Sequence, residues 1–431
     1  MEEPMRSSAI CLGLILLVLA MAGCAMAPHK PAGIDVSYIR NIVPFSQPPL
    51  TLGEDENGEI YGTPDEDGDG IKDNLKAELL ELVRKFCPTL MLDISDTGGV
   101  LSRPLLPMPV ETFARKLTID RFSIAPFRWR GREMIDLSEI DDRKLSLLSK
   151  YFSRRVKIKP SDEMKVAFFD FPGDSPDEWL WALNVIQWME GYRPTVYAHP
   201  FILKSSEGDR KVVIQYWYLF PFDGWGEVHE GDWEHVNVIV TSLDPKGAQL
   251  LEVQFYFQGF VSSLSSVELD RLTHPVIYVG GGARGSHGMY PYPGKWLGMG
   301  NGKGAERVYG NFRVSYKDFE VNLIPDAEAV KLEKLSPKER GKIIWLKLNV
   351  RWGRPWMGGR GDKAIITLSA DSEGYAPFGP AFSTAWNRSG ECLGYEVYHP
   401  RPKSWLELLP TSDIVEHLIT GQPVFENAEN R

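Results

Sequence analysis

Apolar and polar residues alternate over short runs along most of the chain, and turns containing Gly or Pro separate the runs. An alternation with a period of two is typical of strands, whose successive side chains point to opposite faces of a sheet. Strands are predicted at 89–93, 165–169, 195–198, 211–220, 234–240, 251–258, 275–279 and 343–350. Strands at this spacing indicate a sandwich or barrel rather than βαβ units. We therefore predict a mainly β fold, a β-sandwich with peripheral α-helices.

Four segments show a helical repeat instead. In the segment 75–86, apolar residues recur at intervals of three and four, and Pro88 ends the helix. A second helix is predicted at 175–191, and two peripheral helices are predicted at 137–151 and 405–419.

The first residues have the pattern of an export signal, which must be set aside before the fold is considered. Arg6 precedes an apolar stretch of about 13 residues, shorter than the ~20 that a membrane-spanning helix needs. Small residues then lead directly to Cys24, as a lipoprotein signal peptidase requires, so we predict that Cys24 is lipidated. The alternatives are an uncleaved signal anchor and an ordinary secretory signal. Met1 and Met5 are both candidate start residues.

The predicted organisation has five parts: a signal peptide at 1–23, a tether at 24–63, an acidic calcium-type loop at 64–78, the β-sandwich at 79–400 and a helical tail at 401–431. Several acyl chains on one cysteine anchor a protein durably to a membrane. Ala25 follows the cysteine, which in Gram-negative bacteria favours the outer membrane. We therefore expect an exported, lipid-anchored protein, on the periplasmic face or the cell surface.

The composition narrows the range of partners. A net charge of −10 and the absence of any long Lys/Arg run argue against a nucleic-acid partner. The 13 Trp and 16 Tyr residues suit β-structure and sugar-binding or interfacial surfaces. Cys87 and Cys392 either pair in an oxidising compartment or remain as two buried thiols.

Carboxylates occupy alternate positions of the segment 65–73, with Gly70 at the sixth position. A hard cation takes six to eight oxygen ligands, and this spacing wraps a loop around one. The pattern resembles the calcium loops of EF-hands and of thrombospondin type 3 repeats, but Lys76 replaces the bidentate acid at the twelfth position. The candidate ligands are Asp65, Asp67, Asp69 and Asp73 through carboxylates and Ile71 through its carbonyl. The alternative is a solvated acidic linker.

The most informative part of the sequence holds acidic and imidazole side chains at the start of a predicted strand. Asp232 and Glu234 share one face of that strand, and two unpaired carboxylates about 7 Å apart repel each other when partly buried. A cation between them removes this cost. A hairpin brings His229 and Asp223, which ends the preceding strand, close to the same place.

This set, Asp223, His229, Asp232 and Glu234, is our predicted metal site. Three carboxylates and one imidazole favour Ca²⁺, Mg²⁺ or Mn²⁺, with Ca²⁺ or Mg²⁺ the leading candidates. Zn²⁺ becomes an alternative if His287 or His199 joins the set. The candidates for lining the site are His235, His287 and His199. The alternative is that these acidic residues form salt bridges with arginines and cap turns, without a metal.

Motifs spread over roughly 80–400 resemble the Vps62 family in their order. They are Tyr197-Ala-His199, Gln215-Tyr-Trp-Tyr, Pro221-Phe-Asp223, His229-Glu-Gly-Asp-Trp-Glu-His235, His274-Pro-Val-Ile-Tyr-Val and Gly285-Ser-His-Gly-Met-Tyr-Pro291. The family name implies vacuolar sorting in fungi, a role that does not transfer to a bacterial-type lipoprotein.

The spacing of His229, Asp232 and Glu234 is also similar to that in the necrosis- and ethylene-inducing (NLP) cytolysins. The resemblance implies a β-sandwich in which a cation sits in a cleft and helps to engage sphingolipid headgroups, with Asp223 as the fourth ligand. The sequence departs from the cytolysins at Gly231, where they have a second histidine.

Three functions follow from these observations. The first is a binding module whose cation engages a surface glycan or lipid headgroup, a role that includes toxin-like proteins. The second is a metal-assisted envelope hydrolase, in which Asp232 and Glu234 hold a metal-bound water and His235 or His287 transfers the proton. The third is a structural envelope protein without a ligand. The sequence does not identify catalytic residues.

Overall fold

A computed structural model of the chain describes residues 64–93, 105–123, 128–148, 163–173, 176–189, 191–204, 210–223, 229–257, 260–281, 286–297, 305–354, 376–389 and 396–397. The predicted signal peptide with Cys24, the tether, Cys392 and the tail at 401–431 lie outside the described residues.

The described part of the chain is dominated by strands, which confirms the predicted mainly β fold. The strands are β1 (Thr89–Leu92), β2 (Lys116–Ser123), β3 (Arg128–Asp136), β4 (Glu163–Phe169), β5 (Thr195–Lys204), β6 (Arg210–Asp223), β7 (His229–Val240), β8 (Leu250–Phe257), β9 (Phe260–Leu264), β10 (Leu269–Asp270), β11 (His274–Val279), β12 (Met289–Tyr290), β13 (Gly294–Leu297), β14 (Ala305–Val308), β15 (Phe312–Val314), β16 (Glu320–Leu323) and β17 (Glu396–Val397). The α-helices are α1 (Lys76–Lys85), α2 (Val110–Phe113), α3 (Asp142–Leu148), α4 (Pro176–Met189) and α5 (Pro337–Ile343), with 3₁₀ turns at Leu137–Glu139, Ile344–Lys347 and Pro380–Phe382.

The largest sheet has the strand order β16-β5-β6-β7-β8-β9-β17. The strands β5 to β9 are antiparallel to their neighbours, whereas β16 and β17 lie parallel to the strands beside them at the two edges. In β6 and β7, opposite residues such as Tyr216 and Val236 share one face, and Val213 and Ile239 share the other. All four side chains are buried, so the β6–β7 hairpin is covered on both sides.

One face of this sheet packs against α1 and a second sheet of order β10-β11-β1-β15, to which β12 adds through β11. The Tyr216 hydroxyl donates to the Val83 carbonyl of α1 at 2.7 Å. Phe257 of β8 stacks on Tyr290 of β12 with 4.6 Å between ring centroids. A three-stranded sheet, β3-β2-β4, and the hairpin β13-β14 complete the described strands.

The opposite face of the large sheet packs against an aromatic cluster. Trp233 of β7 stacks on Trp345 at 5.6 Å and meets Trp352 edge-on at 5.0 Å. Tyr197 of β5 meets Trp345 edge-on at 5.2 Å. These contacts explain why the strands of the hairpin are apolar at nearly every position.

The prediction of a strand at 343–350 is wrong. Ser336 and Glu339 form a capping box, in which each side chain accepts a hydrogen bond from the other residue's backbone N–H, and α5 begins there. The chain continues as the 3₁₀ turn Ile344–Lys347, whose first three residues are all buried. A short apolar run of this kind fits a buried helical turn as well as a buried strand, so its periodicity alone was ambiguous.

The helix predicted at 137–151 is divided in two. The Asp136 side chain accepts the Ser138 N–H at 2.9 Å and starts a 3₁₀ turn, and the Asp141 side chain accepts the Lys144 N–H at 2.7 Å and starts α3. Two N-caps five residues apart divide the helix, because each cap residue has non-helical backbone angles. Among the described helices, none has the length and apolarity needed to cross a membrane.

Cys87 is a free, buried thiol at the end of α1. Its Sγ donates to the Pro88 carbonyl at 3.8 Å, and burial raises the pKa of the thiol well above its usual range. The described structure therefore agrees, for Cys87, with the alternative of a buried free thiol.

Candidate functional site

The β6–β7 hairpin places two of the four predicted ligands opposite each other. Asp223 ends β6, His229 begins β7, and the register pairs them directly. The Asp223 Oδ2 and His229 Nε2 atoms are 3.9 Å apart. The other ring nitrogen, Nδ1, lies 3.2 and 3.0 Å from the carbonyl oxygens of Glu230 and Gly231. Because both of these are acceptors, Nδ1 carries a proton, and the Nε2 atom of His229 faces the Asp223 carboxylate.

Asp232 forms a second Asp–His pair, with a residue distant in sequence. Its Oδ2 accepts a hydrogen bond from His287 Nδ1 at 2.8 Å, and both side chains are buried. His287 has a positive φ of 50° and stacks on Phe220, with 4.2 Å between ring centroids. Its Nε2 atom is buried and has no hydrogen-bond partner in the described structure. A carboxylate that fixes Nδ1–H in this way is the usual support of an imidazole that ligates a metal through Nε2.

Glu234 shares one face of β7 with Asp232, as the alternation predicts. The two lie opposite Tyr218 and Phe220 of β6, and Glu234 is half-buried. The Tyr218 hydroxyl is buried, and no described group forms a hydrogen bond with it. This end of the sheet therefore contains polar atoms that the described residues do not satisfy.

The structure brings the predicted ligands together as pairs. Asp223 lies beside His229 and Asp232 beside His287, but no three of the four predicted ligands have ligand atoms within 4.8 Å of one another among the described residues. A single site built from Asp223, His229, Asp232 and Glu234 therefore stays a prediction that requires side-chain rotation.

Glu230 is a buried residue of this hairpin that the sequence reasoning missed. Its carboxylate accepts the Trp179 Nε1–H at 3.1 Å, the Arg354 N–H at 3.0 Å and the Phe171 N–H at 3.4 Å. Burial nevertheless raises the pKa of Glu230 to about 8, against the lowering effect of these donors. The position of Glu230 inside the motif of β7 was the only sign in the sequence that it belongs to the site. Its hydrogen-bond partners come from distant segments, which the sequence pattern does not specify.

Two of the predicted site-lining histidines lie on the other face of the sheet. His235 is stacked between Trp217 at 4.3 Å and Tyr256 at 4.1 Å, and burial lowers the pKa of His235 to about 3. His199 stacks on Trp386 at 3.8 Å, and burial lowers its pKa as well. Of the three, His287 is therefore the histidine that contacts a predicted metal ligand.

The acidic loop gathers three of its five predicted ligands. Carboxylate oxygens of Asp65, Asp67 and Asp73 lie within 4.8 Å of one another. The backbone N–H groups of Gly68 and Gly70 donate to Asp65 at 2.7 and 3.0 Å, and both glycines have positive φ. The Asp69 side chain instead accepts the N–H of Ile71 at 2.9 Å.

Lys76 occupies the twelfth position of this loop in a way that the sequence did not predict. Its ammonium nitrogen lies 3.4 Å from an Asp67 carboxylate oxygen and also contacts the Asp69 carboxylate. A tethered cation thus lies beside the carboxylates at the position where an EF-hand places its bidentate acid.

Fold and site thus define a mainly β protein with two Asp–His pairs at one end of its central hairpin. No protein-family model matches the chain, and no curated protein does. The resemblance to the Vps62 family therefore has no support from a family model. A similar solved structure is the crystal structure of the non-toxic HaNLP3 protein, with 16% identity, 30% of this chain covered and a TM-score of 0.20. The match covers 52% of that protein, about half of its length.

Proposed function

We propose that this protein is an exported binding protein, anchored to a membrane through Cys24. In this proposal the β-sandwich holds Ca²⁺ or Mg²⁺ at the end of the β6–β7 hairpin and uses it to engage a surface glycan or lipid headgroup. The proposed metal ligands are Asp223, His229, Asp232 and Glu234. Their spacing, which resembles that of the NLP cytolysins, supports the same reading.

The observation that carries the proposal is the orientation of His229. With its Nδ1 proton directed at two carbonyl oxygens, its Nε2 atom and the Asp223 carboxylate face each other at 3.9 Å. A largely buried carboxylate beside this ring nitrogen favours a positive charge between them, which a bound cation supplies. Asp232 and Glu234, three and five residues after His229 in β7, add two more carboxylates towards this end of the hairpin.

Isothermal titration of the purified chain with Ca²⁺, Mg²⁺ and Mn²⁺ tests the cation site. We expect a site that either Asp223→Asn or Asp232→Asn abolishes, whereas Glu133→Gln, an exposed carboxylate on β3, leaves it intact. Melting curves of each variant show that the loss of binding is not a loss of folding. The cation site proposed below for the acidic loop remains in every variant, so the number of bound ions decides the test. An unchanged number of bound ions in both aspartate variants overturns the proposal.

Binding of the folded chain to glycan arrays and to lipid vesicles tests the second part of the proposal. We expect binding that EDTA removes and that added Ca²⁺ or Mg²⁺ restores, with Asp223→Asn inactive throughout. If chelation only lowers the melting temperature and leaves binding unchanged, the cation has a structural role and the proposed use of it is wrong.

We also propose that the acidic loop is a second, structural calcium site. The support is the convergence of Asp65, Asp67 and Asp73 and the two glycine N–H groups that orient Asp65. The loop contacts the segment that follows β16, since the Lys331 N–H donates to the Gly68 carbonyl at 2.9 Å. A cation here would hold the start of α1 against the sheet.

A further inference from the structure

A cavity of about 630 Å³ lies between helix α1 and the edge strand β16, and residues of the segment 316–319 also line it. We call it the α1–β16 groove and define it by Arg84, Arg193, Tyr316, Lys317, Glu320 and Asn322, which line it. Its volume is within the range of cavities that bind small molecules. The predicted cation site is elsewhere, since none of its four ligands lines the groove.

The groove carries an excess of positive charge in a chain whose net charge is −10. Four cationic side chains line it, against two carboxylates, those of Asp69 and Glu320. Lys76 is neutralised by its ion pair with Asp69. This leaves Arg84, Arg193 and Lys317, none of which forms an ion pair with a carboxylate of the described residues. Three cations thus face one remaining carboxylate, that of Glu320, and a concave surface with a net positive charge concentrates anions.

Arg193 is oriented without being neutralised. Its Nε and Nη2 atoms donate to the backbone carbonyls of Asp318 at 2.8 Å and Lys317 at 2.9 Å. These bonds fix the plane of the guanidinium group. They do not neutralise its positive charge, because carbonyl oxygens carry no full negative charge. A guanidinium held in this way is preorganised for the paired oxygens of a phosphate or carboxylate.

The neighbouring aromatic ring is also held in place. Tyr316 stacks on His274 with 3.4 Å between ring centroids, and the Lys317 ammonium lies 5.6 Å from the Tyr316 ring centre. The Asn322 amide offers both a donor and an acceptor along β16. An aromatic ring and an amide beside fixed cations suit the hydroxyl-bearing body of a sugar or polyol.

The helix dipole explains the placement of only one of the three cations. Arg84 lies in the last turn of α1, where a positive charge interacts favourably with the helix dipole. Arg193 and Lys317 are not on a helix, so the dipole does not explain their placement.

We propose that the α1–β16 groove binds a phosphate ester of a sugar or polyol. The phosphoryl group is held by Arg84, Arg193 and Lys317, and the hydroxyl-bearing body lies along Tyr316 and Asn322. A bare phosphate fills only a small part of 630 Å³, which is why the site takes the ester. Such a group occurs both as a soluble sugar phosphate and as the headgroup of a phosphorylated lipid.

Isothermal titration of the full chain with glucose 6-phosphate, at low salt and in EDTA, tests this proposal. EDTA keeps the result independent of the proposed cation site. We expect binding that weakens about tenfold or more in Arg84→Gln and in Lys317→Gln, because each loses a charge-assisted contact. Arg193 is left unchanged, since it also holds the backbone of the segment 316–319. Lys246→Gln, an exposed lysine in the β7–β8 turn, is the matched control and binds like the parent chain.

Cosedimentation with phosphatidylcholine vesicles, with and without phosphatidylinositol 4-phosphate, distinguishes the two sources of the ligand. The groove is supported if either probe binds to the parent chain and this binding is lost in both Arg84→Gln and Lys317→Gln. The probe that binds more tightly then shows whether the ligand is a soluble sugar phosphate or a lipid headgroup. The proposal is overturned if neither probe binds, or if the variants and Lys246→Gln bind alike.

Discussion

Glu230 is held in the described structure by N–H groups rather than by a positively charged side chain. Burial raises its pKa to about 8, well above the ordinary value of 4.5. An acid with a raised pKa in the folded state binds its proton more tightly when folded. Its stabilising effect is therefore complete below about pH 4.5 and is lost as the pH rises through about 8.

We therefore expect stability to fall between pH 5 and 8 by up to about 1.4 kcal/mol per pH unit through this residue. Glu230→Gln, which mimics the protonated acid, should remove that slope and gain relative stability at pH 8. Urea unfolding at several pH values measures both. Parallel pH profiles for the parent and the variant would show that Glu230 does not titrate in this range.

We propose that Lys76 limits the affinity of the acidic loop for calcium. Its ammonium group interacts with two of the loop's carboxylates and competes with a divalent ion. Lys76→Glu removes this competitor and restores the acid at the twelfth position, so we expect calcium to bind about tenfold more tightly or better. Calorimetry measures the change.

The matched control for this substitution is Lys331→Glu, which makes the same charge change at an exposed residue near the loop. This control separates the electrostatic attraction that any added negative charge exerts on Ca²⁺ from direct ligation of Ca²⁺ by the residue at the twelfth position. An equal gain in the two variants would contradict a specific role for Lys76.

At the residue scale, the sequence predicted contacts between residues that are close in the chain and missed contacts between residues that are far apart in it. The spacing of Asp65, Asp67 and Asp73 predicts their convergence because one short loop carries all three. The partner of Asp232 is His287, 55 residues further along the chain, and nothing in the spacing specifies that contact. The direction of the Lys76 side chain is likewise a result of packing.

At the scale of elements, the β6–β7 hairpin requires a glycine. Gly231 has a φ of 58°, and a Cβ atom there would lie 1.9 Å from the Trp352 carbonyl oxygen. This contact explains why residue 231 is a glycine, because no side chain fits beside the Trp352 carbonyl.

We expect Gly231→Ala to lower the free energy of unfolding by more than about 2 kcal/mol, since it adds a backbone clash to the strain of a positive φ. Gly131→Ala is the matched control: Gly131 also has a positive φ, of 73°, but a Cβ atom there meets nothing within 4 Å. Gly131→Ala should lower the free energy of unfolding only by the backbone strain of a positive φ, about 1–2 kcal/mol. Urea unfolding compares the two, and equal losses would contradict the role assigned to Trp352.

The elements themselves were predictable where the pattern had one interpretation. The predicted strands at 211–220 and 234–240 correspond to β6 and β7. At the hairpin end, both strands are longer than predicted because the pairing continues to Asp223 and His229. The segment 343–350 was misread because a buried 3₁₀ turn and a buried strand look alike. The Ser336–Glu339 capping box just before it was the local signal that favoured a helix.

At the scale of the whole molecule, we propose a membrane anchor joined to a mainly β domain with three binding sites: the hairpin cation site, the acidic loop and the α1–β16 groove. The anchor is a proposal from the sequence around Cys24. We expect acyl chains on Cys24, so that the protein sediments with membranes and Cys24→Ala releases it. Mass spectrometry of the mature N-terminal peptide checks the modification, and an unmodified peptide that begins elsewhere would contradict it.

The central claim is that a divalent cation binds at the end of the β6–β7 hairpin. A crystal soaked in Mn²⁺ and measured for anomalous scattering tests it most directly. We expect an anomalous peak about 2.0–2.6 Å from side-chain atoms of Asp223, His229, Asp232 and Glu234. A crystal whose anomalous peaks lie only at the acidic loop, or that shows no peak at all, would contradict it.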